Sequence, residues 1–135
     1  PIYDNRLREF DLGNAVGHSK EWAKKNLCCP VWTNTIDWAD TADGRVFCGA
    51  ESRQEVWCRV SCFVNTVIAR SCDNLILVSH SGTLSVLFSI WLGMDLETLN
   101  KCTFWGKSGG VSFLREDADG HHIISRLSDM SYIRE

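Results

Sequence analysis

No run of this sequence is apolar for long enough to cross a bilayer. The stretch from Leu84 to Leu92 is too short, and no signal peptide precedes it. Basic charge is not in excess: 14 Lys and Arg stand against 17 Asp and Glu, a net charge of -3. Neither nucleic acid nor a membrane is therefore expected as a partner. No internal repeat, low-complexity tract or second domain is visible. The seven cysteines, at positions 28, 29, 48, 58, 62, 72 and 102, are odd in number and include no Cys-x-x-Cys pair. That argues against a structural zinc site or a secreted disulfide scaffold. It favours reduced, mostly packed thiols in a cytoplasmic protein. Cys58 and Cys62 are spaced to share a helix face, but two ligands do not make a zinc site. The first residue is Pro1 rather than Met, which gives the expectation that the chain begins inside a longer gene product.

What is present fits one domain with a real core. The chain has 135 residues, 44% of them hydrophobic and 23% charged. Its organising stretch runs from Leu75 to Gly93. Leu75-Ile76-Leu77-Val78 is short enough for a buried strand, Ser79-His80-Ser81-Gly82 breaks it, and an apolar run follows that is long enough for a helix stopped by Gly93. A buried strand feeding a buried helix is a core α/β unit. Its turn lies where open α/β sheets place ligands, with His80 beside the N–H groups of a helix N-terminus.

Around this unit, Glu51 to Ser71 reads as an amphipathic helix with Val56, Trp57, Val60, Phe63, Val64, Val67 and Ile68 on one stripe. Residues 1 to 13 read as extended or irregular, and Ser19 as the cap of a short helix from Lys20 to Asn26. Residues 27 to 50 form a long irregular segment. Its anchors Trp32, Ile36, Trp38 and Phe47 fit either a substrate-covering lid or a loop pinned to the body. Asp95 caps a short helix from Leu96 to Lys101. Val111 to Leu114 and His122 to Leu127 form a hairpin around the turn Asp117 to Gly120.

Several catalytic patterns fail on inspection. Gly106-Lys107-Ser108 is not a phosphate loop, because position 101 is Lys101 and a strand follows instead of a helix. Ser81 is not a hydrolase elbow, because Ser79 and Thr83 stand where glycines belong. His121 and His122 are neighbours on a strand and point to opposite faces, so they are read as turn histidines. His18 is read as structural. His80, between the apolar strand and the helix, remains the candidate for anion chemistry.

Three segments in the same order, PIYDNRLREFDLG, GAESRQEVWCR and LILVSHSG, resemble motifs of the histidine phosphatase superfamily, the phosphoglycerate-mutase-like fold. The resemblance runs from Pro1 to about Leu114. It implies a three-layer α/β sandwich with a mostly parallel sheet and a C-terminal antiparallel hairpin. Residues 1–135 would be the C-terminal portion of a single domain. Members of that family transfer a phosphoryl group to a histidine in an Arg-His-Gly motif and then to water or another acceptor. No Arg-His-Gly occurs in these 135 residues.

Two family roles map onto residues that are present. Glu9 resembles the general acid and base, and His80 the second histidine, which stabilises the transferring phosphoryl group. Ser81 and Gly82 would offer backbone N–H groups to the same phosphate. Glu51, Ser52 and Arg59 match a helix-start motif and are read as supports. Gly13-Asn14-Ala15-Val16-Gly17 departs from the usual GxWEG, and Gly49-Ala50-Glu51-Ser52 interrupts GES. Phe10 follows Glu9 where mutases carry Arg, and Leu12 replaces a Tyr. The implied activity is phosphomonoester hydrolysis through a phosphohistidine in the complete protein, with a small phosphorylated substrate and neither metal nor organic cofactor. The alternative is a catalytically inactive, phosphatase-like interaction module or fragment. A homodimer, or pairing with an N-terminal segment bearing the missing motif, would complete the sheet.

Overall fold

A computed structural model of the chain describes residues 1–28, 44–68, 70 and 73–133. The helices are α1 (Lys20–Lys25), α2 (Arg53–Ile68) and α3 (Ser81–Trp91). A hairpin of β1 (Val111–Glu116) and β2 (His122–Asp129) closes the chain. Single 3-10 turns occupy Asn5–Leu7, Gly13–Ala15 and Glu97–Asn100.

The start of α2 is set by Ser52 and Glu55. Ser52 Oγ accepts from the Glu55 N–H at 3.2 Å, and the Glu55 carboxylate accepts from the Ser52 N–H at 2.8 Å. This reciprocal pair satisfies two N–H groups that the helix itself cannot. From there Val56, Val60, Phe63 and Val64 fall on one face and meet Val86, Leu87 and Phe88 of α3. Each such side chain contributes roughly 1.5–3 kcal/mol when removed from water. Phe10, Leu77, Phe104, Leu114 and Ile124 pack around the edge of this cluster, so the N-terminal segment and the hairpin share one core with the two helices. The expected stripe on α2 is present, with Trp57 and Val67 partly buried at its margin. Ile68 belongs to α2, but its side chain lies outside the described set.

The local signals at the other helices also take the expected form. Ser19 Oγ accepts from the Trp22 N–H and caps α1. Gly93, at φ +71°, ends α3: its N–H bonds Ile90 O and the Met94 N–H bonds Ser89 O. This paired arrangement satisfies carbonyls at the helix end. Asp95 Oδ1 accepts from the Thr98 N–H at 2.8 Å and opens the 3-10 turn in the place expected for a short helix. β1 and β2 pair antiparallel around Asp117–Gly120, where the Gly120 N–H returns to Asp117 O.

Two expectations are corrected. Leu75 to Val78 is not a buried strand. It forms no strand among the described residues, with Ile76 90% and Val78 87% exposed and only Leu77 packed against the core. An apolar run becomes a strand only when a neighbour takes up its backbone groups, and no described strand lies beside this one. The sheet formed by the described residues is the two-stranded antiparallel hairpin alone, so the three-layer, mostly parallel sheet is not present among them. The cysteines are also not mostly packed. Cys28, Cys48, Cys58 and Cys62 are exposed, Cys102 is half-buried, and all five are free.

For the long irregular segment, Phe47 pins its end to the body, buried with Ala15 and Ala50 in a second small cluster. Trp32, Ile36 and Trp38 lie outside the described residues. His18 stacks on Trp22 at 3.9 Å, and His122 stacks on Trp91 at 3.9 Å, so both serve packing. No helix among the described residues is long and apolar enough to cross a membrane.

Candidate active site

The N-terminus of α3 brings the predicted residues together. His80 is the N-cap, in extended conformation, and its carbonyl accepts the first helical bond from the Leu84 N–H at 2.8 Å. Its side chain makes no capping bond and is exposed. The first N–H groups of a helix have no partner within it, and together with the helix dipole they favour an anion. In this structure that anion is the Glu9 carboxylate. Glu9 Oε2 accepts from the Gly82 N–H at 3.3 Å, and Oε1 accepts from the Thr83 N–H at 3.2 Å and the Thr83 hydroxyl at 3.3 Å. The absence of a side chain at Gly82 makes room for this: a Cβ there would lie 2.8 Å from Glu9 Oε1.

The segment carrying Glu9 is fastened along its length. The Thr83 hydroxyl, fully buried, has a single proton, which goes chiefly to Arg8 O at 2.6 Å, with Glu9 Oε1 the longer second acceptor, and the Ser79 hydroxyl donates to Leu7 O at 2.6 Å. From α2, Arg59 donates to Arg6 O at 2.7 Å and to Glu9 O at 3.5 Å. Glu51 holds Arg59 by two bonds, at 2.9 and 3.1 Å, and also pairs with Arg8 and accepts from the Asp11 N–H. The Arg59–Glu51 side chains are only about a tenth exposed. Glu51 and Arg59 are thus positioning groups for the Glu9 segment, which fits their reading as supports.

Further along, Gly13 sits at φ +55° with its α-carbon against the Cys48–Ala50 backbone. A Cβ there would approach Ala50 N within 2.3 Å. The glycine closing LREFDLG is therefore fixed by both conformation and space.

At the entrance to this segment, Arg6 grips Asp4 through paired hydrogen bonds and reaches Thr66 on α2 at 3.0 Å. The Arg6 guanidinium holds the Asp4 carboxyl down at about 2. At the start of α2, Arg45 beside Glu55, with the Ser52 N–H, likewise lowers that carboxyl to about 2.

Ser81, exposed on the first turn of α3, turns its hydroxyl to Gly106 O at 3.3 Å. Among the described residues nothing accepts from its N–H. Of the two N–H groups assigned to phosphate, that of Gly82 is thus engaged by Glu9. The sequence reading did not single out Thr83 or Arg6. A hydroxyl in the first turn of an otherwise apolar helix was the available signal for Thr83.

Away from this site, ligand atoms of Asp117, Asp119 and His121 lie within 4.8 Å of one another. Asp117 already accepts from the Asp119 and His121 N–H groups and from the His121 ring. They shape the hairpin turn, in keeping with the reading of His121 as a turn histidine.

The family described as histidine phosphatase superfamily (branch 1) matches residues 1–128. No curated protein matches the chain by sequence. Among solved structures, the α-ribazole phosphatase from Shigella flexneri superposes with a TM-score of 0.71 at 18% identity, over 98% of this chain and 62% of that one. A mycobacterial glucosyl-3-phosphoglycerate phosphatase, solved with inorganic phosphate, gives 0.70 at 19% identity, over 97% and 66%. YhfR of Bacillus stearothermophilus gives 0.68 at 22% identity, over 95% and 61%. At such identities the likeness concerns the fold, and the chain spans less than two thirds of each of these proteins.

Proposed function

The chain belongs to the histidine phosphatase superfamily, branch 1, and on that premise we propose that it is the acid-and-phosphate half of a phosphomonoesterase. The reading rests on one observation: the Glu9 carboxylate is bonded by the Gly82 and Thr83 N–H groups at the N-terminus of α3, two and three residues beyond the N-cap His80. The phosphatase neighbours, one an α-ribazole phosphatase and one a glucosyl-3-phosphoglycerate phosphatase by name, support a small phosphorylated substrate.

In the complete protein the nucleophilic histidine comes from an Arg-His-Gly strand outside this sequence. Its ring nitrogen attacks phosphorus while the ester oxygen leaves with a proton from Glu9. Glu9 then takes a proton from water, whose oxygen attacks the phosphohistidine, and orthophosphate departs. His80 donates to the phosphoryl oxygens, where charge accumulates during both transfers. Glu9 leaves its place at the Gly82 and Thr83 amides to reach the leaving oxygen, and those amides then face the phosphoryl group. No residue in this scheme requires a metal.

The exposed apolar segment supports the same reading. Ile76 and Val78 point outward next to His80, and Ile2 and Tyr3 are also open to solvent. A strand laid parallel to Leu75 to Val78 would bury them and bring its own end beside His80. A segment of the same gene product is the proposed occupant; a second copy of the chain is the other arrangement. The second reading is a silent, phosphatase-like interaction module.

Phosphate release from simple phosphomonoesters, measured for this chain and for the longest product of its gene, separates the two. Turnover by a product carrying an Arg-His-Gly strand, with none by the chain alone, is expected. Absence of turnover by that longer product contradicts the enzyme reading.

A further inference from the structure

The segment after α3 returns along that helix toward its N-terminus. The Phe104 N–H bonds Ser85 Oγ at 3.0 Å, and Gly106 O accepts from Ser81 Oγ at 3.3 Å, one helical turn nearer the site. Between these two ties, exposure alternates along the backbone. Phe104 packs into the core and stands edge-on to Phe88, while Thr103, Trp105 and Lys107 face out. Trp105 and Lys107 are thus both on the exposed side of this alternation. The loop is also fastened at its far end. The Lys107 N–H bonds Ser128 Oγ at 2.8 Å, the Gly110 N–H bonds Lys107 O at 2.9 Å, and the Tyr132 hydroxyl bonds Gly109 O. A glycine at 110 is needed for this, since a Cβ would come within 2.3 Å of Ser128 Oγ.

The result is a tethered loop holding an indole that is 78% exposed, one residue from the carbonyl tied to Ser81. The Lys107 ammonium forms no ion pair among the described residues. A large aromatic held open on a fixed backbone is a ready stacking face.

We propose that Trp105 and Lys107 form the subsite for the alcohol portion of the substrate, selecting phosphomonoesters whose leaving group carries a ring and a second negative charge. The proposal rests on the phosphomonoesterase reading. Trp105 covers one face of the ring, and Lys107 meets the second anion, leaving the phosphoryl group to His80 and the α3 amides.

The test compares esters of alcohols of similar acidity in the longest gene product: naphthyl against hexafluoroisopropyl phosphate, and meta-carboxyphenyl against phenyl phosphate. Trp105→Ala is expected to lower kcat/KM for the naphthyl ester about tenfold through KM, with Trp105→Phe restoring most of it. The hexafluoroisopropyl ester should change little. Lys107→Met should remove the preference for the carboxylated ester. Equal losses on ring-bearing and ring-free esters, or no loss, overturn the subsite. Failure of the unaltered protein to hydrolyse any ester overturns the phosphomonoesterase reading instead.

A second readout needs no turnover. The indole N–H resonance of Trp105, assigned through Trp105→Phe, should shift with naphthyl phosphate but not with inorganic phosphate. Absence of that difference overturns the subsite whatever the kinetics.

Discussion

Glu9 and His80 lie at the same helix end and are held in opposite ways. The Glu9 carboxylate is fixed by two amides and a hydroxyl of α3, and the backbone on either side of it is tied to Thr83, Arg59 and Glu51. Among the described residues His80 is fixed only through its backbone, and its side chain is exposed. One half of the candidate site is therefore built from contacts within these residues. The other half has a position but no surroundings. The difference separates what this stretch of chain can order alone from what a neighbouring strand would have to supply.

The comparison breaks most easily on the Glu9 side. Arg59→Met leaves Glu51 largely buried without its main partner and frees the backbone at Arg6 and Glu9. It should cost about 2–4 kcal/mol in urea unfolding, and the double change with Glu51→Gln should cost less than the two single changes summed. A loss under about 0.5 kcal/mol would mean that the ion pair is a surface contact and not a clamp.

Thr83→Val is smaller in effect. It keeps the shape but leaves Arg8 O without its donor, at about 1–2 kcal/mol. Thr83→Ser should recover most of that, and equal losses for both variants would assign the effect to packing.

At the start of α2 the expected effect is one of pH. The Glu55 carboxyl is lowered in the folded chain to about 2 by Arg45. Its contribution is therefore complete above the ordinary carboxyl range near 4.5 and disappears as pH falls toward 2. Amide protection in the first turn of α2, taken relative to intrinsic exchange at each pH, should fall over that window and lose this pH dependence in Glu55→Gln. Unchanged pH dependence in the variant would remove the capping pair from the account.

His80→Ala gives the smallest effect on stability, within about 0.5 kcal/mol, because the ring is exposed and unbonded. In the longest gene product the same change should abolish most phosphate release. A large loss of stability in this chain would instead give His80 a structural role.

The same contrast explains how much could be read from the sequence. Elements whose determinants are local were legible: the Ser19 cap, the apolar stripe of α2, the Gly93 stop and the turn at Asp117–Gly120. The family was legible as well, from the order of its motifs. Leu75 to Val78 was misread because apolar content records a preference for burial, while strand formation needs a partner in space. Thr83 was passed over because a threonine in a helix is common, and its double role becomes visible only when Arg8 O and Glu9 are folded against it. The exposed cysteines were missed for a similar reason: composition reports how many thiols there are, not whether the face of α2 that carries Cys58 and Cys62, or the loops that carry Cys28 and Cys48, end up covered.

The central claim is that Glu9 is the proton donor to the leaving group. Its most direct test is the dependence of hydrolysis on leaving-group acidity in Glu9→Gln, made in the longest gene product. The account predicts a fall of about 10²- to 10⁴-fold for alkyl phosphates and a much smaller one for nitrophenyl phosphate, whose leaving group needs no proton. Equal losses on both esters would contradict it.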